Sequence, residues 1–296
     1  MNSFKRTFGF ILGHPLAKRH PYRAFFNFVQ WQLQSRSSTG KLIVKPFLGP
    51  VKFYARKGLT GITGNIYTGL HEFNDMAFLL HFLRADDVFF DIGANVGSYT
   101  LLASGACKAK SISLEPAPST FDILTKNIQL NALEANVTLI NAGAGAKPGM
   151  LKFSVNEDTT NHVLADDEAG ANAVEVPIVT VDSLSGANPP TLMKIDVEGF
   201  ETEVLRGMPL TLALPQLKAI IIELNGSGGR YGFNEADIHE ALLARGFAPY
   251  AYDAFNRTIT KVEVWGSYNT IYIRQAEFVQ NRLKEAEGFT IMGETI

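Results

Sequence analysis

Apolar and polar positions alternate between two periods along this chain. Apolar runs of five or six residues recur at 88–92, 111–115, 137–141, 192–196, 219–224, 247–252 and 269–274, each closed by polar or turn residues. Runs of that length predict strands, and nearly continuous ones such as Ala219 to Leu224, interrupted only by Glu223, predict strands buried on both faces of a parallel sheet. Stretches with helical spacing lie between them, at 97–105, 119–131, 200–206 and 235–245. Asn234 is placed to cap the last of these and Gly246 to end it. The alternation predicts an α/β fold with a doubly wound, mostly parallel, Rossmann-like sheet of seven strands. Upstream, Phe73 to Leu83 puts Met76, Leu79, Leu80 and Leu83 on one helix face. Leu42 to Tyr54 alternates around Pro46 and Gly49-Pro50 and predicts a strand pair. Gly58 to Gly69, rich in Gly and Thr, reads as a loop near a ligand. Met150 to Val155 and Val174 to Val181 predict a β-hairpin insertion, whose acidic connection, Asn156 to Asn172, is expected to cover the site.

Composition adds an asymmetry. The formal net charge is −2, yet residues 1–60 carry eleven Lys and Arg and no Asp or Glu, leaving 16 basic and 29 acidic residues, a balance of −13, for the remainder. From Pro21 to Ser35 the apolar residues Tyr22, Phe25, Phe26, Val29 and Leu33 fall at helical spacing. A basic, aromatic amphipathic segment suits an anionic membrane surface or a polyanion, and equally a helix packed on the body of the protein. Two units are expected: a basic extension over 1–64 and a catalytic domain over 65–296. No run of 18 apolar residues predicts a spanning helix, and Phe8 to Gly13 is too short for a signal-peptide core. The single cysteine, Cys107, excludes a disulfide framework and a cysteine-rich zinc site. A cytoplasmic enzyme is the simplest expectation, with residues 1–40 able to touch the inner membrane surface.

The chemistry starts at Asp91-Ile-Gly-Ala-Asn-Val-Gly97, which follows the strand at 88–92. In open α/β sheets a ligand sits at this first strand–helix crossing. A dinucleotide site wants G-x-G-x-x-G, so that glycines admit a pyrophosphate. Here Asp91 ends the strand, and its carboxylate repels a pyrophosphate but suits an ammonium. Glu115 ends the next strand, followed by Pro116, where an acid accepts hydrogen bonds from a ribose diol. An ammonium, a ribose diol and no phosphate describe S-adenosylmethionine (SAM). These elements, with Thr180-Val-Asp182 and Lys194-Ile-Asp-Val-Glu-Gly-Phe-Glu201, resemble the FkbM-type methyltransferases over roughly residues 65–275. The resemblance implies a class I SAM-dependent enzyme, with S-adenosylhomocysteine (SAH) as product. It also implies O-methylation of a sugar, polysaccharide or polyketide, and together with the basic aromatic segment it makes a sugar, polysaccharide or glycolipid hydroxyl the expected acceptor.

Cofactor contacts are expected from Asp91, Gly93, Ala94, Asn95, Gly97, Glu115 and Pro116, with Asn141 and Ala142 at the adenine and Glu72 beside His71 at the methionine end. Methyl transfer to a hydroxyl needs a base. His162, in the insertion, titrates in the useful range and is the first candidate, with Asp196 second. Glu198, Glu223 and Asn225 stand where an acceptor should bind. Asp196 and Glu198 could hold a divalent cation, which the pattern does not favour without a third ligand. Asp182 is expected to cap the turn after its strand. Three alternatives stay open. They are an RNA ribose methyltransferase using the basic segment, a nicotinamide oxidoreductase, which the missing G-x-G-x-x-G opposes, and a non-catalytic SAM-binding module.

Overall fold

In the computed structural model, which describes residues 3–38, 40–154, 162–164 and 173–296, the predicted strands fall within about a residue of their expected places. Two short strands, β1 (Ile43–Pro46) and β2 (Lys52–Ala55), pair antiparallel ahead of the main sheet. Next come β3 (Val88–Ile92), β4 (Lys110–Leu114) and β5 (Val137–Ile140). A separate three-stranded sheet follows, made of β6 (Gly143–Ala144), β7 (Gly149–Ser154) and β8 (Ala173–Val179). The chain then supplies β9 (Leu192–Ile195), β10 (Ala219–Glu223), β11 (Ala248–Asp253), β12 (Thr258–Lys261) and β13 (Asn269–Ile273).

The main sheet has eight strands in the order β12-β11-β13-β10-β9-β3-β4-β5. Strands β10, β9, β3, β4 and β5 run parallel, and β13 enters antiparallel between β10 and β11. The seven-strand expectation is one short. The added strand, β12, makes a hairpin with β11 at the sheet's edge, where a half-exposed Thr-Ile-Thr-Lys needs no apolar run. The central strands are mostly apolar because both faces are covered: Phe89, Leu192 and Ile221 face one core cluster, and Phe90, Met193, Ile220 and Ile222 face the other. Two hydrophobic clusters on opposite sides of one sheet are what a doubly wound fold requires.

The basic extension is helical: α1 (Ser3–Gly13), α2 (Pro15–Arg19) and α3 (Pro21–Ser37). Gly58 to Gly69 is not the expected loop. It forms α4 (Thr60–Thr68), in which buried Ile62 and Tyr67 supply packing that overrides poor Gly and Thr propensity. The expected boundary at residue 64 therefore falls inside a helix. Ile11, Ala24, Phe28 and Trp31 of the extension share one cluster with Phe53, Ile62, Val96 and Leu124. The next helix, α5 (Phe73–Phe82), is as expected and buried on nearly every side. Asn234 accepts the Ala236 N–H at 3.1 Å and caps the helix Glu235–Ala244, and Gly246 follows it with φ of 80°.

Candidate active site

The order β9-β3-β4 places the switch point at β3, and the strand ends there build one cavity of about 350 Å³. Asp91 pairs in register with Lys194 of β9, and Gly93 follows in a left-handed turn with φ of 84°. A Cβ on Gly93 would stand 1.8 Å from the Asp196 carbonyl oxygen, so the two strand ends meet only because this residue is glycine. Asn95, also left-handed at φ 50°, aims its N–H at Glu115 Oε2 at 2.9 Å. The Ala117 N–H donates to Glu115 Oε1 at 2.9 Å, so both carboxylate oxygens are oriented and each keeps a lone pair for a ligand. Asp91 Oδ2 accepts from the Thr100 N–H at 3.0 Å and the Thr100 hydroxyl at 2.6 Å, which ties the strand end to the following helix. Burial raises Asp91 to about 6 against the Thr100 hydrogen bonds, and raises Glu115 to about 7 against its two backbone donors.

The opposite wall is acidic around one buried cation. Lys194, a charge in the middle of the apolar strand Leu192–Ile195, is 1% exposed. Its Nζ donates to Asp196 Oδ2 at 2.8 Å and to Asn269 Oδ1 at 3.1 Å, and stands 5.3 Å from the centre of the Tyr99 ring. Burial opposes the ammonium, but Asp196, Glu72 and Glu223 outweigh it and hold its pKa above the ordinary lysine value. The Tyr99 hydroxyl donates to Glu72 Oε2 at 2.5 Å, and Asn269 donates to Asp75 at 3.2 Å. Asp196, Glu198 and Glu223 each offer a carboxylate oxygen within 4.8 Å of the others. Burial, then the Asp196 charge, pushes Glu198 to about 7 and Glu223 further up. Glu223, expected at the acceptor, is thus the third carboxylate beside Asp196 and Glu198. It completes a set that could hold a cation, and the Lys194 ammonium already supplies a positive charge there.

Most of the expected residues converge. Glu72, Asp91, Gly93, Ala94, Asn95, Glu115, Pro116, Ala142, Asp196, Glu198 and Glu223 all line the cavity. Four do not. Gly97 shapes the turn at φ 93°, where a Cβ would press within 2.6 Å of Leu124. Asn141 donates to the carbonyls of Glu115 and Pro116 at 2.8 and 3.1 Å, bracing the acidic strand end from behind. Asn225 accepts the Ser227 N–H and closes its own turn. His162 is buried beside Ser154, whose hydroxyl accepts the His162 N–H at 2.9 Å and lies 3.4 Å from Nδ1. Its neighbour Val163, bridged to Phe153, is what reaches the cavity, because side chains alternate along extended backbone. Most of the connection Asn156 to Asn172 lies outside the described residues, but Val163 within it and the flanking Phe153 and Ile178 wall the cavity.

Two further acids serve the backbone. Asp182 does not cap its own turn; it accepts from the N–H groups of Leu210 and Thr211 at 3.0 and 2.7 Å and caps the helix Pro209–Ala213. Glu201 turns back to accept from the Val197 and Gly199 N–H groups and holds the loop that carries Glu198, itself left-handed at φ 54°. The functional residues that pattern reading missed are Lys194, Tyr99, Asp75 and Asn269. Lys194 alone carried a signal, a charge inside a run otherwise buried, which only a paired site tolerates.

The model of the FkbM methyltransferase domain matches residues 91–249, more than half of the chain. The hexuronic acid methyltransferase AglP of Haloferax volcanii is 33% identical over 150 residues, covering 50% of this chain and 59% of that protein. The methyltransferase sdnD of Sordaria araneosa is 25% identical over 170 residues, covering 46% of this chain and 66% of that protein. The chain therefore spans less than two thirds of either relative. A crystal structure of an FkbM methyltransferase from Methylobacillus flagellatus KT superposes with a TM-score of 0.46 at 14% identity, covering 72% of this chain and 52% of that one. The family match opens on Asp91 and runs beyond Glu223, taking in Glu115, Lys194, Asp196 and Glu198 of the cavity, and the chain belongs to the FkbM methyltransferase family.

Proposed function

We propose that this protein is a SAM-dependent O-methyltransferase of a sugar hydroxyl, with the Asp196 carboxylate receiving the hydroxyl proton. One observation carries the reading: the ligand-binding acids Asp91 and Glu115 open into the same cavity as the Lys194–Asp196 pair. The residues fit the cofactor. Glu115 has its carboxylate oriented for a ribose diol, and Asp91 and Glu72 offer negative charge for an ammonium. Pro116, Ala142, Phe153 and Ile178 give an apolar slot for a purine. When bound, SAM supplies an electrophilic methyl group on a sulfonium, and the remaining work belongs to the protein. Lys194 fixes Asp196 through Oδ2, which leaves Oδ1 to accept the hydroxyl proton as the oxygen gains the methyl group. Glu223, raised by burial and by Asp196, stays neutral beside it and can donate a hydrogen bond rather than take the proton. His162 is not part of this arrangement.

Two observations support a sugar acceptor. The relative AglP is named for a hexuronic acid. A second cavity, of about 640 Å³, shares His71 and Glu72 with the first and presents the rings of Phe10, Phe73, Tyr250 and Tyr268, flat apolar faces suited to a pyranose. The test is a calorimetric titration with SAH, with NAD as control, followed by transfer of labelled methyl from SAM to hexuronic acids and neutral glycosides. SAH binding with label on a sugar hydroxyl supports the reading. Equal or preferred binding of NAD removes it, and SAH binding with label only on RNA removes the sugar.

A further inference from the structure

Helix α3 carries two apolar stripes, and the structure uses one. Ala24, Phe28, Trp31 and Ser35 are buried, spaced four, three and four residues apart, and pack on the body with Phe53 and Tyr67. The other stripe, Tyr22, Phe25, Phe26, Val29 and Leu33, is the one most obvious in the sequence, and it faces outward. Tyr22 is 90% exposed, Phe26 63% and Leu33 66%. Scattered exposed apolar residues are ordinary, but five on one face of one helix are not. Arg36 continues this stripe one turn beyond Leu33, and Arg23 borders it, both exposed. Exposed Lys18 precedes the helix and exposed Lys41 follows it. Arg19 and His20 are taken by Glu294.

We propose that this face of α3 lies on an anionic lipid surface, with the aromatic stripe in the headgroup region and the flanking Lys and Arg on lipid phosphates. The occupant is set by charge. The first 60 residues hold eleven basic and no acidic residues against a balance of −13 elsewhere, so an anionic surface attracts this face and repels the rest of the molecule. Aromatic and aliphatic residues on one side of a helix with basic residues around them match an interfacial helix, which needs no spanning length. Among the described residues no helix is long and apolar enough to cross a membrane. The buried side of α3 rests on α4 through the Phe28–Tyr67 ring contact, and α4 brings Gly61 to the cavity wall. A lipid-bound α3 thus stands one helix away from the site. The inference does not depend on which acceptor is methylated.

The experiment is co-sedimentation of the full chain with vesicles of phosphatidylglycerol and phosphatidylcholine, against phosphatidylcholine alone. Binding is expected only with the anionic lipid and is weakened by raised salt. The variant Phe25→Ser/Phe26→Ser/Leu33→Ser lowers partitioning by at least ~30-fold, since each buried apolar side chain contributes substantially. Its thermal midpoint stays at the wild-type value because the changed side chains are exposed. The variant Arg23→Gln/Arg36→Gln lowers binding and flattens its salt dependence. No binding by the wild-type chain, or equal binding by the serine variant, overturns the proposal. A wild-type dimer in solution that the serine variant converts to monomer also overturns it, by assigning the face to a second copy.

Discussion

Lys194→Met tests the electrostatic design of the cavity most directly. The Lys194 ammonium is 2.8 Å from Asp196 Oδ2, and the two side chains are 2% and 31% exposed. Because the neighbouring carboxylates hold the lysine's folded pKa above its unfolded value, its contribution to stability is complete below the unfolded value of about 10.5 and is lost only as pH rises through the folded one. Charge centres ~4 Å apart at an effective dielectric of ~20 attract by about 4 kcal/mol. Desolvation offsets part of that, and removing one partner of a buried pair costs about 3–5 kcal/mol. Solvent reaches Asp196, so the lower end, about 3 kcal/mol at pH 8, is expected. The stranded carboxylates escape part of this by taking up protons. Glu198 and Asp75, each raised to about 7, become mostly neutral as pH falls to 6, and Glu223 favours the neutral form already. Carboxylates with raised folded pKa values destabilise as pH climbs from their unfolded values, about 4, through the folded ones. Without the ammonium that window moves upward, so the deficit of the variant should shrink to about 2 kcal/mol at pH 6. Urea unfolding at both pH values measures it. A loss under about 1 kcal/mol at both, or a deficit that grows as pH falls, would refute the placement of the charge.

The same acids bear on ligand discrimination. SAM carries one more positive charge than SAH, and Asp91, raised to about 6, and Glu115, raised to about 7, ionise across the neutral range. The ratio of SAM to SAH affinity should therefore rise by up to ~10-fold between pH 5.5 and 8, read by calorimetry, whereas a flat ratio would place the sulfonium away from these groups. Glu115→Gln should weaken SAH by ~10–100-fold with the melting temperature little changed, because one amide nitrogen replaces an acceptor facing the ribose; wild-type affinity would move the ribose elsewhere. Asp196→Asn should cut turnover by ~10²–10⁴-fold with SAH affinity retained, and His162→Ala should leave turnover within ~2-fold. The reverse pattern in steady-state rates would restore the histidine as the base.

The legibility of this chain follows from what each element packs against. Strands β3, β9 and β10 are buried on both faces, so their apolar runs declare them, and the acids ending β3 and β4 stand out against that background. Strand β12 and helix α4 were not declared, because one is a half-exposed edge and the other is a Gly- and Thr-rich segment made helical by contacts with α3 and the body. His162 and Asn225 have the right chemistry near the right places, but their side chains are spent on Ser154 and on the Ser227 N–H, and sequence spacing does not reveal which way an extended residue points. Helix α3 shows the same limit in reverse. Its more regular stripe is exposed, and the stripe it buries includes Ala24 and Ser35, small residues that admit a close approach but register weakly as hydrophobic. An amphipathic pattern states that a helix has a face to cover, and only the packed structure states whether the protein covers it. In α3 the covered face is the weaker one, which leaves the stronger free to act outside the fold.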